Sequence, residues 1–158
     1  VKAIESLSGR HAPARALGVC RDEAQVLTAE TARVQGVRVG RSSHRLRNPG
    51  NGAPPWAERF IQAGAGRKAA SMEAVVLDLG DRVGVLRPLP TAATCTKCHG
   101  TVERLSPDVR DLLATAYPQD KATGFEEGDL RGFIWAEAPV GSAPTPSKIP
   151  LEHAVPRF

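Results

Sequence analysis

The sequence predicts an α+β domain. Three observations carry that reading: apolar residues recur at helical spacing from Ala12 to Val34, two β-branched runs flank Gly80-Asp81, and a late apolar run alternates from Asp129 to Ala138. At 158 residues the chain has the length of one domain with a core to bury. A hydrophobic content of 41% and a charged content of 24% are those of a globular protein.

In the first element, Leu17, Cys20, Ala24, Leu27, Thr31 and Val34 follow one another at three- and four-residue steps, the period of one helical face. Pro13 suits the first turn and Gly36 follows the end. Cys20 therefore lies on the inward stripe. Gly36 to Arg41 alternates like a short strand. Arg47 to Trp56 is dense in turn formers, and so long an irregular segment inside a compact domain is usually functional or packed on a ligand. Ala57 to Ala63 reads as a short helix carrying Phe60 and Ile61.

Glu73 to Leu79 and Arg82 to Arg87 form a hairpin across Gly80-Asp81, with Pro88 and Pro90 ending the second strand. Asp108 to Tyr117 is a helix with Ser106 as N-cap and Pro107 at its first position. Asp129 to Ala138 is a strand with Phe133 and Trp135 on one face and Ile134 on the other. From Pro139 the composition turns to proline, serine and glycine, an extended tail that is either disordered or an arm for a partner. The division expected is a domain over 1–138 and a tail over 139–158.

The formal charge of +4 is mild. No lysine/arginine cluster is interleaved with aromatics, so nucleic acid is not an expected partner. Apolar runs are too short to span a membrane. No Ser/His/Asp set or pair of carboxylates stands out, and an enzyme is not expected. The sequence opens at Val1 without an initiator methionine or an apolar leader, so a mature or trimmed form of an exported protein is expected.

Cys95-Thr96-Lys97-Cys98-His99 is a C-x-x-C-H sequence, the pattern of covalent c-type haem attachment. Two thiols three positions apart add across the porphyrin's vinyl groups, and the adjoining histidine becomes an axial ligand. Other uses of Cys95 and Cys98 are a zinc site with Cys20 and a histidine, a redox dithiol, or a disulfide. None of these gives His99 a purpose. The single expected cofactor is one covalent haem c, and the sixth ligand is open among Met72, His11, His44, His153 and Cys20. Arg41, Arg47 and Arg87 are candidate partners of the haem propionates, since a guanidinium matches a carboxylate with two hydrogen bonds. The alternative for each is a solvated or structural arginine. Arg131 with Asp129 reads as easily as a strand-turn salt bridge, and Trp56 and Tyr117 read as core.

Several blocks resemble a bacterial family of PAS-like haem-c domains, found alone or as extracytoplasmic sensor parts of signalling proteins. They are Val19-Cys20, Gly40-Arg41-Ser42-Ser43, Arg47-Asn48-Pro49-Gly50-Asn51 with Trp56, Gly84 to Pro90, Cys95 to Gly100, Tyr117 to Phe125, and Gly128 to Gly132. Together they span about residues 15 to 138. The segment Asn51 to Trp56 is spaced differently from the family's, and the tail has no counterpart. The resemblance implies a PAS-like antiparallel sheet flanked by helices. It also implies iron held by His99 and by a thiolate, here Cys20, from the long N-terminal helix. A periplasmic mono-haem protein follows, used for redox or diatomic-gas sensing with a signalling partner. The alternative is an electron-transfer subunit with a redox partner.

Overall fold

In the computed structural model the residues described are 26, 29, 30, 32, 33 and 36–141. Val26, Ala29, Glu30, Ala32 and Arg33 are helical; the rest of the expected N-terminal helix, with Cys20 and His11, lies outside the described residues, as do His153 and the tail beyond Gly141. The helix closes as the sequence suggested. Gly36, at φ 63°, donates to the Arg33 carbonyl and Val37 donates to Ala32, the two bonds of a Schellman motif.

Four antiparallel strands follow: β1 Arg38–Ser42, β2 Val75–Asp78, β3 Arg82–Pro90 and β4 Leu130–Pro139. Their order across the sheet is β1-β4-β3-β2. The β2–β3 hairpin turns at Gly80, where the Asp78 carboxylate accepts from the Gly80 amide at 2.8 Å. The expected end of β3 is corrected: the strand runs on through Pro88 and Pro90. β2 stops at Val75, opposite Leu86, so beyond that point β3 has a ladder neighbour on one side only, where proline is tolerated.

Alternation in β4 decides the layers. Phe133 is 1% exposed and Ile134 is 40% exposed. The next helix, α1 (Pro55–Ala63), starts two residues before the sequence suggested, with Pro55 in its first turn. It packs Ala57 and Ile61 on Leu86, Leu130 and Phe133, with Trp56, Phe60, Met72, Val75 and Trp135 around them. Glu137 anchors this layer: it accepts from Trp56 Nε1 at 2.9 Å and pairs with Arg38 at 3.1 Å and Arg82 at 3.5 Å.

Leu130 and Phe133 both lie in this core although they are three positions apart. A β-bulge reconciles them: Leu89 faces Gly132 while Pro90 faces Leu130, which leaves Arg131 as the extra residue. Gly132, at φ 154°, is required there, because a Cβ would meet the Ser42 carbonyl oxygen at 2.4 Å.

The C-x-x-C-H segment lies between β3 and β4. After a 3-10 turn (Ala93–Cys95), α2 (Thr96–His99) makes one helical turn. A longer helix, α3 (Pro107–Ala116), forms a second small core of Leu105, Val109 and Leu113, against which Cys98, Leu112 and Tyr117 pack. Ser106 occupies the N-cap position as expected, but its side chain makes no capping bond. Among the described residues no helix is long and apolar enough to cross a membrane.

Candidate cofactor site around His99

A four-residue helix is too short to be stable alone, so α2 must be held by its surroundings. Its last carbonyls have no partner within the helix. Arg47 Nη2 donates to the Cys98 carbonyl at 2.6 Å, and the Phe125 amide donates to the His99 carbonyl at 2.9 Å. Arg47 is itself fixed by a buried ion pair to Asp120, Nε to Oδ2 at 3.0 Å. Asp120 Oδ1 accepts from the Ala122 amide at 2.7 Å, and Lys121 donates to Leu46 at 3.0 Å. The Arg47 block and the Tyr117-to-Phe125 block, far apart in sequence, therefore form one clamp around the motif.

That clamp sets the imidazole. His99 Nδ1 lies 2.7 Å from the Ala122 carbonyl oxygen, so Nδ1 carries the proton and donates it. Nε2 keeps its lone pair and accepts from Arg131 Nη2 at 3.2 Å. Burial first, then the Arg131 and Arg47 guanidiniums, push the His99 pKa down to about 3, against the pull of the Ala122 bond; the Arg41 charge pushes the same way. The ring is neutral across the physiological range. A neutral imidazole, with one nitrogen tied to a carbonyl and the other available, is the form that ligates metals.

Phe125 is the hub of the site. Its ring meets His99 and His44 edge-on at centroid distances of 6.5 and 6.0 Å, while Arg45 and Arg131 stack at 5.1 and 5.0 Å. His44, one of the candidate sixth ligands, is half-buried here, and its Nδ1 is buried without a hydrogen-bond partner. Met72 packs on the α1 core.

The arginine candidates separate. Arg47 serves the clamp, although its Nη1 is buried without a hydrogen-bond partner. Arg41 and Arg87 are exposed and both register with Ile134, on the sheet face opposite α1. Arg41 is close enough to bear on His99 and Arg131. The reading of Arg131 with Asp129 is corrected: Asp129 pairs with Lys68 at 2.6 Å and accepts from the Glu126 amide, and Arg131 turns to His99. Trp56 and Tyr117 pack in the two cores as expected. Cys95 and Cys98 are half-buried and not joined to each other. Among the described residues no three His, Cys, Asp or Glu side chains converge as a metal cluster.

Sequence reasoning missed Arg131, Arg45, Phe125 and Asp120 as parts of the site. The last two stand in a block whose specificity was visible but whose role was not.

Fold and site together define an α+β domain in which a C-x-x-C-H helix, clamped by a buried Arg–Asp pair, docks beside a four-stranded antiparallel sheet. The family model described as Tll0287-like, Tll0287, matches residues 5–139, and the chain belongs to that family. Among solved structures, the crystal structure of the cyanobacterial heme-protein Tll0287 shares this fold. The TM-score is 0.61 at 24% identity, over 73% of this chain and 68% of that one. No curated protein matches the chain.

Proposed function

We infer that this chain is a mono-haem c-type protein in which Cys95 and Cys98 carry the thioethers and His99 is an axial ligand. The observation that carries the reading is the Nδ1-to-Ala122 bond at 2.7 Å, which leaves Nε2, covered only by the Arg131 guanidinium, as the ligand atom directly after two thiols not joined in a disulfide. The solved relative is a heme protein, which supports the same cofactor. The other residues fit it. Phe125 offers an apolar ring, and Arg41, Arg45 and Arg131 bring more positive charge than Asp120, already paired with Arg47, can balance.

When bound, the haem supplies one-electron oxidation and reduction. The chain supplies the rest. Ala122 holds the proton on Nδ1, the Arg47–Asp120 pair holds α2, and Phe125 shields the imidazole from water. Cys20, on the N-terminal helix expected from the sequence, is the thiolate ligand of the iron in this reading, and the sheet is read as PAS-like. A thiolate donates charge and stabilises the ferric state. Such a centre has a low potential and suits redox or diatomic-gas sensing in the periplasm, with a signalling protein as partner.

Acid-acetone extraction and elemental analysis test the cofactor. Haem should stay with the protein, whereas haem in the solvent or zinc in the protein would refute the assignment. The Cys20→Ala variant should lose the low-spin thiolate signature in ferric EPR; an unchanged spectrum returns Met72 or a histidine as ligand. A second reading, an electron-transfer subunit, is favoured by the half-exposed position of both thiols, which keeps an attached group near the surface. A positive potential, with a reduced form that ignores CO, selects it.

A further inference from the structure

Arg131 has a neutral hydrogen-bond partner and no carboxylate partner at the site. Its guanidinium is largely withdrawn from water, rests on the Phe125 ring, and donates to a neutral acceptor, His99 Nε2 at 3.2 Å. Among the described residues no carboxylate lies within ion-pair distance of Arg131, Arg45 or Arg41. Asp120, whose charge bears on Arg131, already answers Arg47. The Arg47 and Arg41 guanidiniums lie close enough to add like charge. A half-buried guanidinium flanked by like charges is costly unless an anion completes it.

Its position makes the anion specific. Arg131 occupies the lone pair of His99 Nε2, the atom that must be vacated for iron. Whatever binds at His99 displaces this guanidinium, and an incoming group that also brings carboxylates offers it a place to go. We propose that Arg131, with Arg41 beside it, is the carboxylate-binding residue for the cofactor: it covers His99 Nε2 in the chain alone and pairs with a propionate in the loaded protein. This rests on the haem reading above and extends it to residues outside the C-x-x-C-H motif. Arg47 has its Nε and Nη2 committed to Asp120 and the Cys98 carbonyl, which leaves only its buried Nη1 for any further acceptor.

The experiment compares resonance Raman spectra of haem-loaded wild-type, Arg131→Gln and Arg131→Lys proteins in the propionate-bending region. In Arg131→Gln the band is expected to shift to lower frequency at an unchanged ratio of haem to protein, because the charged donor is lost. Arg131→Lys, which keeps a cation, restores most of the shift. A band that stays in place in Arg131→Gln, with haem attached, overturns the proposal and leaves the haem reading standing. Wild-type protein without covalent haem overturns the haem reading instead. A crystal structure of the loaded wild-type protein decides the same question should Arg131→Gln not accumulate: Arg131 within hydrogen-bond distance of a propionate upholds the proposal, and Arg131 paired elsewhere overturns it.

Discussion

Two histidines meet the edges of Phe125, and only His99 has both ring nitrogens occupied by protein atoms. His44 shows what such burial costs. Its pKa is lowered by burial first, then by the Arg45 and Arg131 charges, so the folded chain keeps it neutral below the pH at which the unfolded chain begins to protonate it. The linkage therefore has one sign. The stability it contributes is complete above about pH 6.5, the unfolded value, and is lost as pH falls from there through the folded value. Denaturant midpoints of wild type and His44→Gln should converge as the pH is lowered from 7 to 5, with wild type losing more. Parallel curves would show that His44 titrates alike in both states. This environment was not legible in sequence, because His44 stands among arginines that look solvated. It is burial against Phe125, a contact across 81 positions, that gives those charges their force.

At the scale of elements, local pattern located the strands well. The hairpin, β1 and β4 lie where alternation and Gly80-Asp81 put them, because an antiparallel sheet with one covered face writes its period directly into the chain. The errors fall where a neighbour's length decides the outcome, as with the prolines of β3 beyond the end of β2. Phe133 is the residue on which α1 and the sheet meet, and Phe133→Ala should cost about 3–5 kcal/mol, the range for a buried aromatic whose cavity cannot fully collapse. Equilibrium urea unfolding measures it; a loss below about 1 kcal/mol would mean that α1 settles into the vacated space.

Among the described residues there are two cores, one between α1 and the sheet and one under α3, with Tyr117 packed on the second. The Arg47–Asp120 pair is the buried link that runs from the β1–α1 connection to the residue 117–125 segment and to α2. Asp120→Ala leaves a guanidinium without its carboxylate, a loss of about 3–5 kcal/mol where both partners are buried. The effect should be local. Hydrogen exchange should speed at the Val109 and Leu113 amides while Leu86 and Phe133 keep their protection. Uniform acceleration would show one cooperative unit instead. From the sequence, the C-x-x-C-H motif could be read because its chemistry sits in five consecutive residues. The clamp could not be read, since it pairs positions 73 apart whose only shared property is opposite charge.

The bulge in β4 places a constraint on chain length rather than on composition. Side chains in a strand keep strict phase, odd to one face and even to the other, and Arg131 reaches His99 because one surplus residue breaks that phase between Leu130 and Phe133. A deletion of one residue there would restore perfect alternation, yet it would either drive a cation into the apolar layer or turn Leu130 out of it. Relatives that keep this site should therefore tolerate changed identities between Asp129 and Phe133 far better than a changed count.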